Sequence, residues 1–288
     1  MKIATILPYK ENYTSSKAAA ASLWVSDFFK NSRLKKNNFI YGSTDTTDYL
    51  TNNYINIKVS NIKSKFSSST IQYCNNLIKK IKNNKFDIIE IHNRPLVFNY
   101  LKKHLNNQFI IYFHNDPLSM KGSKTVSERI NLLNDVEKIV FVSKWVQNRY
   151  FIGLDQKLLN KTEVVYPSIH KEKSIVKKDK KIVFVGKLNP SKGYDIYRDA
   201  IIRILNEFKE WKAFSIGDEK RNKPIIDHQN HYELGYLTHK EVLKFLNRSE
   251  IAVVPSRWEE PFGRTALESS SRGCATIISN RGGLPETT

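Results

Sequence analysis

The stretch Glu260-Pro261-Phe262-Gly263-Arg264-Thr265-Ala266-Leu267-Glu268 decides how the rest of the chain is interpreted. It follows the apolar run Ile251-Ala252-Val253-Val254, which stops at Pro255-Ser256, and it leads into a segment compatible with a helix. Such a run is typical of a buried parallel strand, and parallel-sheet proteins bind ligands at the carboxyl ends of their strands. The two carboxylates are eight positions apart and cannot form an i,i+4 pair, so we expect both to be free to point at a ligand.

The segments around this stretch repeat the alternation of strand and helix. Apolar runs predict strands at 2–7, 39–41, 54–59, 86–92, 109–114, 138–143 and 164–167, and again at 181–186, 211–217, 251–255 and 275–279. Two such series imply an α/β protein with two Rossmann-like parallel-sheet domains that face one cleft. Residues 170–181, rich in lysine and poor in apolar residues, are predicted as the linker between domains at 1–169 and 182–288.

Length and composition limit the class of protein. The chain has 288 residues, of which 40% are hydrophobic, and this is enough for two domains with cores of their own. No apolar run approaches the roughly 18 residues that span a bilayer, and the first one breaks at Pro8, too early for a signal peptide. We therefore expect a soluble, cytoplasmic protein in which Cys74 and Cys274 are reduced structural thiols.

The net charge of +19 lies mainly in the first half of the chain. Residues 1–170 carry 25 Lys and Arg against 12 Asp and Glu, an excess of 13. A field of this sign attracts nucleic acid, an anionic membrane surface or an anionic acceptor. A general preference of the organism for Lys and Asn explains the excess equally well, because the lysines are scattered as much as clustered.

A loop with two glycines and two lysines directly follows the strand predicted at 181–186. Its residues Gly186, Lys187, Lys192 and Gly193 are suited to an anion, since glycine admits close backbone approach and lysine supplies charge. The loop matches neither the Walker order nor GxGxxG, and an ordinary exposed turn is the alternative. Residues 281–286, Arg-Gly-Gly-Leu-Pro-Glu, form a second loop of this kind after the last strand.

His114 is the candidate catalytic residue of the first half, because it stands where a predicted strand ends. His92 occupies a similar place, with weaker support, and either histidine could instead be structural. The seven histidines show no ligand spacing and Asp-x-Asp is absent, so the sequence gives little support to a metal-centred mechanism. A serine hydrolase is disfavoured too, since GxSxG is absent.

Together these motifs resemble the retaining glycosyltransferases of family four, which have the GT-B fold. The resemblance runs through most of the chain and is most specific in its second half. There, residues 260–268 are similar to the family's Glu-x7-Glu motif, and residues 186–193 and 281–286 resemble two of its loops in the same order. The resemblance implies a nucleotide-sugar donor as substrate and no cofactor or metal.

The resemblance also implies a role for each matching residue. Glu260 would bond the hydroxyls of the donor sugar, and Glu268 the ribose hydroxyls. The backbone of Phe262, Gly263 and Arg264 would face the sugar and the pyrophosphate. Lys187 and Lys192, on the loop that begins at Gly186, would neutralise the departing diphosphate. His114 would reach the donor sugar across the cleft and orient it.

Three features depart from the family pattern. Lys187 stands where the family usually has Arg, which keeps the charge but loses the fork of donors. Residues 15–20, before the first helix, have no glycine that would admit a diphosphate. The chain ends at Thr288, where the family continues through further helices, so we expect the second domain to be truncated.

The sequence therefore predicts a retaining, metal-independent transfer of a sugar from a UDP- or GDP-linked donor to a cell-envelope glycan or a lipid-linked acceptor. The basic first half would be the acceptor side, in peripheral contact with anionic lipid at the inner face of the membrane. Alternatives are an epimerase or phosphorylase of the same fold, an inactive fragment, or a basic nucleic-acid-binding protein. The last of these leaves the three ordered loops unexplained, so no nucleic acid is expected as a partner.

Overall fold

The computed structural model describes residues 1–59, 68–170, 176–221 and 223–287. The chain divides into two compact units, Met1–Tyr166 (unit 1) and Pro167–Thr288 (unit 2). Each unit is built on one parallel sheet, so the predicted α/β class with two Rossmann-like sheets is confirmed. The predicted linker is only partly described, since residues 171–175 lie outside the described ranges. Its last three positions already belong to a strand that begins at Asp179.

Unit 1 contains a seven-stranded sheet in which all neighbouring strands are parallel. In chain order the strands are β1 (Ile3–Ile6), β2 (Asn38–Gly42), β3 (Tyr54–Asn56), β4 (Ile88–His92), β5 (Gln108–Phe113), β6 (Lys138–Phe141) and β7 (Thr162–Val164). Their order across the sheet is β3-β2-β1-β4-β5-β6-β7. The direction of strand succession reverses between β1 and β4, which is the place where open α/β sheets bind ligands.

Five helices connect these strands: α1 (Ala20–Asn31), α2 (Ser69–Lys82), α3 (Pro95–Lys102), α4 (Val126–Asp135) and α5 (Lys144–Phe151). Trp24 and Val25 of α1 pack with Leu7, Ile40 and Tyr54 in a buried cluster over the first strands. Helix α4 begins with a reciprocal capping box between Thr125 and Glu128. α3 is absent from the sequence prediction, although Pro95 at its first position is a common start signal.

Unit 2 contains a five-stranded parallel sheet in the order β10-β9-β8-β11-β12. Its elements are β8 (Asp179–Val185), α6 (Tyr194–Glu207), β9 (Lys212–Ile216), β10 (His231–Gly235), α7 (His239–Arg248), β11 (Ser249–Val254), α8 (Arg264–Ser271) and β12 (Ala275–Ile278). The edge strand β10 was not predicted, because its polar and exposed residues lack the apolar run of a buried strand. The reversal of strand succession falls between β8 and β11, so the loops after these two strands meet at the switch point.

Two further expectations concern membrane segments and thiols. Within the described ranges, no helix is both long and apolar enough to cross a membrane. Cys74 and Cys274 are free and buried, one in each unit. Burial raises the pKa of both thiols, that of Cys74 to about 12, so neither is poised as a thiolate nucleophile.

Candidate functional site

The glycine-lysine loop after β8 packs closely against the loop after β11. Gly193 has a φ of +73°, and a Cβ at this position would lie 1.9 Å from the carbonyl oxygen of Pro255. The carbonyl of Ser191 accepts hydrogen bonds from the backbone N–H groups of Arg257 and Trp258, at 3.0 and 2.9 Å. Only glycine permits this approach, which explains why the loop has one at this position.

The loop after β11 is also held by side chains. Arg257 pairs with Asp195 of α6, with Nη1 at 2.5 Å from a carboxylate oxygen. The buried hydroxyl of Ser256 lies 3.1 Å from Oε1 of Glu260. Glu259 pairs with Arg281 at 3.1 Å, but both of these side chains are about half exposed. The loop is therefore anchored to α6 and to the segment after β12.

Glu260 lies where the predicted loops converge. Its Oε1 accepts a hydrogen bond from Nζ of Lys192 at 2.5 Å, and the Glu260 side chain is 13% exposed. Oε2 of Glu260 accepts no hydrogen bond from the described residues. A carboxylate this buried needs a cation or donor to offset its desolvation, and Lys192 meets that need. Glu260 thus has a protein partner on Oε1, and its predicted role toward a ligand stays a prediction.

The third predicted loop closes over the backbone of the same residue. The N–H of Gly283 donates to the carbonyl of Glu260 at 2.6 Å. Gly282 has a φ of +58°, and an added Cβ would lie 2.2 Å from that carbonyl oxygen. The structure thus brings together the three loops that the sequence singled out, all within unit 2.

Gly263 and Phe262 lie at the start of α8. Gly263 is the N-cap of this helix, with a φ of +106°, and a Cβ there would lie 2.3 Å from a methyl of Leu284. Phe262 is buried with 5% exposure, so this segment can offer only its backbone to a ligand. Backbone N–H groups at a helix start are suited to an anion, and the role that the resemblance implies for them stays a prediction.

Glu268 is buried one turn into α8, with 5% exposure. Its Oε1 accepts hydrogen bonds from Nε of Arg264 at 2.7 Å and from Nε2 of His239 at 2.8 Å. Burial by itself raises the pKa of the carboxyl, but the His239 hydrogen bond and the Arg264 charge outweigh it and hold the pKa below its ordinary value. Glu268 is thus an ionised carboxylate with two protein partners on Oε1, and its predicted role toward a ligand stays a prediction.

Two other residues of this region, Gly186 and Lys187, lie at the start of the loop after β8. Lys187 is exposed and forms no ion pair with any residue in the described ranges. Gly186 donates from its backbone N–H to Ile216 at 2.9 Å, and its carbonyl is so close to Gly217 that a Cβ there would lie 1.8 Å away. The base of the loop is therefore fixed, and Lys187 projects from it with its charge unneutralised.

The unit 1 candidate, His114, follows β5 and contacts His92 at the end of β4. The two rings are joined by a hydrogen bond of 2.8 Å between Nδ1 of His92 and Nε2 of His114. The backbone N–H of His114 donates to Oδ1 of Asn93 at 2.9 Å. Asn93 and Arg94 both have left-handed backbone conformations, with φ of 55° and 57°, which turn the chain sharply into α3.

Burial controls the charge of this histidine pair. His92 is 1% exposed and its pKa is lowered well below the ordinary value, first by burial and then by His114. Burial lowers the pKa of His114 to about 3. Both imidazoles are therefore neutral at pH 7, so any contact that His114 makes with a substrate involves an uncharged ring.

Sequence reasoning missed His239, Ser256 and the partnership of the two histidines. His239 lies at the first position of α7, and its contact with α8 joins residues that are 29 positions apart. Only the capping box of Thr238 and Glu241 marks the start of this helix in the sequence. In the described part of the chain, no group of three or more His, Cys, Asp or Glu residues could hold a metal ion.

Comparison with known proteins shows that this chain is similar to glycosyltransferases. Residues 165–288 match the family model described as glycosyl transferases group 1. MJ1178 of Methanocaldococcus jannaschii, named as a glycosyltransferase, is 32% identical over 256 residues, which cover 83% of this chain and 70% of the relative. A 41.2 kDa protein in the cps region of Klebsiella pneumoniae is 25% identical over 239 residues, which cover 73% of this chain and 64% of that protein.

A solved structure extends the likeness to the whole fold. Anabaena HepE in complex with UDP-glucose superposes with a TM-score of 0.72 over 99% of this chain and 82% of HepE. The sequence identity is 14%, so this likeness concerns the fold alone. The predicted GT-B class is in agreement with it.

Proposed function

Because this chain belongs to the glycosyl transferases group 1 family, we propose that it transfers a hexose from a nucleotide sugar, UDP- or GDP-linked, to a cell-envelope glycan or lipid-linked acceptor. The proposed reaction retains the anomeric configuration and needs no metal, as in the family-four enzymes that the motifs resemble. Of the two nucleotides we favour UDP, because HepE, which shares the fold, was solved with UDP-glucose. The cps-region relative supports a glycan acceptor.

The observation that carries this proposal is the convergence of three loops on Glu260 at the switch point of the unit 2 sheet. Oε1 of Glu260 is occupied by Lys192 and Ser256, which leaves Oε2 to accept from a sugar hydroxyl. We propose that Lys192, fixed by this contact, lies beside the donor sugar, where its charge would also reach the first phosphate. One ion pair would thus orient the sugar and begin to neutralise the leaving diphosphate.

The remaining donor contacts follow from the same loops. Lys187, exposed and without an ion pair among the described residues, is proposed to bind the second phosphate. The backbone at Gly263 is proposed to contact the pyrophosphate, and Glu268 the ribose. Because Oε1 of Glu268 already bonds Arg264 and His239, the carboxylate would meet the ribose in a fixed orientation.

A thermal-shift screen with UDP-glucose, GDP-mannose, UDP and GDP tests the donor assignment. Binding to the folded state alone raises the unfolding temperature, and ligand at 100 times Kd contributes about 2.7 kcal/mol. We expect a shift with the UDP compounds that shrinks in Lys187→Ala, because a phosphate contact is lost. The matched control is Lys209→Ala, another exposed lysine of unit 2. No shift with any nucleotide would contradict the proposal.

The acceptor side is proposed to be unit 1, in peripheral contact with anionic lipid. Lys79 and Lys80 near the end of α2 and Lys58 after β3 line a pocket of about 340 Å³ together with Asn56 and Asn76. All three lysines are exposed. Clustered lysines at a membrane surface each contribute about 1 kcal/mol of attraction to anionic headgroups, and this cluster is therefore the proposed contact.

A further inference from the structure

The His92 ring is held in one orientation by aromatic neighbours. It stacks on Tyr112 of β5 with ring centroids 4.5 Å apart and planes within 9°. Trp24 of α1 covers it at 5.5 Å between centroids. His114 lies at 5.1 Å, offset and nearly parallel, with its Nε2 directed at Nδ1 of His92. The hydrogen bond between the two imidazoles is therefore built into the packing of β4, β5 and α1.

A single hydrogen is shared in this bond, which allows two arrangements. Either Nδ1–H of His92 donates to a bare Nε2 of His114, or Nε2–H of His114 donates to a bare Nδ1 of His92. Because both rings are neutral, the choice also decides the state of the other two nitrogens. In the first arrangement His114 carries its hydrogen on Nδ1 and His92 has a bare Nε2. The second arrangement places a hydrogen on Nε2 of His92 and leaves Nδ1 of His114 bare.

The surroundings of Nε2 of His92 distinguish these arrangements. This atom is buried and has no hydrogen-bond partner among the described residues. Buried N–H groups without an acceptor are rarer than buried acceptors without a donor, so a bare nitrogen fits this place better than an N–H. The Glu90 carboxyl lines the same cavity, yet its oxygens bond the hydroxyls of Thr5 and Tyr112 instead.

We propose that His92 is a positioning residue: its Nδ1–H donates to Nε2 of His114 and thereby holds His114 as the Nδ1–H tautomer. His114 then presents an uncharged N–H donor from Nδ1, a nitrogen that bonds no described residue. It cannot act from this nitrogen as a general base, since the position already carries hydrogen. That this donor meets an oxygen of the sugar substrate rests on the proposed function, whereas the tautomer itself does not.

Ring ¹⁵N labelling of histidine tests the tautomer directly. One-bond couplings between nitrogen and hydrogen show which ring nitrogen is protonated, and the variants His92→Phe and His114→Asn assign the signals. We expect hydrogen on Nδ1 of both residues at pH 7. A signal from hydrogen on Nε2 of His114 in the wild-type protein would overturn the proposal. This measurement uses no substrate, so it stands even if transferase activity is never observed.

Three substitutions at His92 separate positioning from packing. Asn carries an amide N–H near the place of Nδ1, Gln carries one near the place of Nε2, and Phe keeps a flat ring without any donor. We expect His92→Asn to keep the Nδ1–H signature of His114, and His92→Phe and His92→Gln to lose it. The matched control is His104→Phe, at an exposed histidine of unit 1 that should leave the signature unchanged.

Kinetics with a nucleotide sugar connect the tautomer to the proposed reaction. In metal sites, loss of a residue that orients a ligand commonly lowers activity about 10- to 100-fold. By analogy, we expect His92→Phe to lower kcat by about 10- to 100-fold, with a small change in KM. His92→Asn should recover most of the loss. Equal kcat for the Phe and Asn variants, at equal thermal stability, would show that His92 acts through packing alone and would overturn the positioning role. An inactive wild-type protein with the expected tautomer would instead refute the proposed function.

Discussion

The carboxyl edges of the two sheets bury polar side chains in opposite ways. In unit 2, Glu260 and Glu268 are each bonded to basic side chains, Lys192 in one case and Arg264 with His239 in the other. In unit 1, His92 and His114 bond each other and have pKa values shifted so far down that both are neutral. The two carboxylates of unit 2 therefore lie in ion pairs, whereas the two histidines of unit 1 form an uncharged pair.

This difference shows how each edge meets the cost of desolvation. An isolated buried charge is expensive, so it must be either paired or removed. Pairing a lysine with a carboxylate allows both groups to remain buried in unit 2, near the place where we propose that a nucleotide diphosphate binds. Removal of the charge leaves a neutral hydrogen-bond donor in unit 1, which is suited to a sugar hydroxyl. We expect substitutions at the two edges to differ in size and in pH dependence.

The largest expected effect is on stability, at the buried charges of unit 2. Glu268→Ala leaves Arg264 without its buried carboxylate, and breaking such a pair typically costs about 3–5 kcal/mol of unfolding free energy. Urea unfolding followed by circular dichroism measures the loss. Glu259→Ala is the matched control, since its pair with Arg281 is about half exposed and worth at most about 1 kcal/mol. Equal losses for the two variants would mean that the Glu268 pair is not buried in solution.

A second prediction concerns the charge excess of unit 1. Replacing Lys58, Lys79 and Lys80 with Glu should lower binding to vesicles of phosphatidylserine and phosphatidylcholine by more than about 100-fold, because each lysine contributes about 1 kcal/mol at an anionic surface and each Glu adds repulsion. Co-sedimentation at 0.1 M salt measures it. The same reversal at Lys209, Lys220 and Lys240, exposed residues of unit 2, is the control. If both triple variants bind equally weakly, net charge and not the unit 1 cluster determines membrane contact.

The stabilising contributions of the residues at the two edges should also be lost in different pH ranges. The histidines have lower pKa values folded than unfolded, so protonation favours the unfolded chain, and stability falls as pH drops below about 6.5. Each histidine contributes a slope of about 1.4 kcal/mol per pH unit in this range. The contribution of Glu268 to the free energy of unfolding persists in this pH range. Because the pKa of Glu268 is lowered in the folded protein, this contribution is lost only as pH falls below about 4.5.

His92→Asn isolates the histidine contribution from that of Glu90. Burial raises the pKa of Glu90 despite hydrogen bonds from Thr5 and Tyr112, so its contribution has the opposite sign and is lost as pH rises through that raised value. Both variant and wild type retain Glu90, and the difference of their slopes between pH 6.5 and 5 belongs to His92. Urea unfolding at several pH values measures it. Parallel pH profiles would show that His92 is already protonated in the folded protein.

The parts of the fold and site that the sequence predicts are those determined by local patterns. Apolar runs of four to six residues mark β5, β6, β8 and β11, because buried parallel strands need apolar side chains on both faces. The glycines at 193, 282 and 283 mark loops in which a side chain would clash with a neighbouring carbonyl. Together with the Glu-x7-Glu stretch and the family resemblance, these two loops allowed the sequence to predict one site built from three loops.

The parts that could not be predicted depend on contacts between distant segments. The His92–His114 bond requires β4 and β5 to pair with His92 opposite Tyr112, a register that the sequence of either strand alone does not reveal. His239 reaches Glu268 from another helix. The sequence does not predict strand β10, because an edge strand can carry polar residues without loss of packing. The residues of β10 are mostly exposed.

The comparison of turnover between Glu260→Ala and Glu259→Ala tests the central claim, that the loop site of unit 2 holds the donor sugar. The two carboxylates are adjacent in one loop, but only Glu260 is enclosed by the converging loops. With UDP-glucose as donor, release of UDP should fall about 100-fold or more in Glu260→Ala, as for loss of a group that stabilises charge in a buried site. Glu259→Ala should retain turnover within a few-fold of wild type. Unchanged turnover in Glu260→Ala would contradict the account.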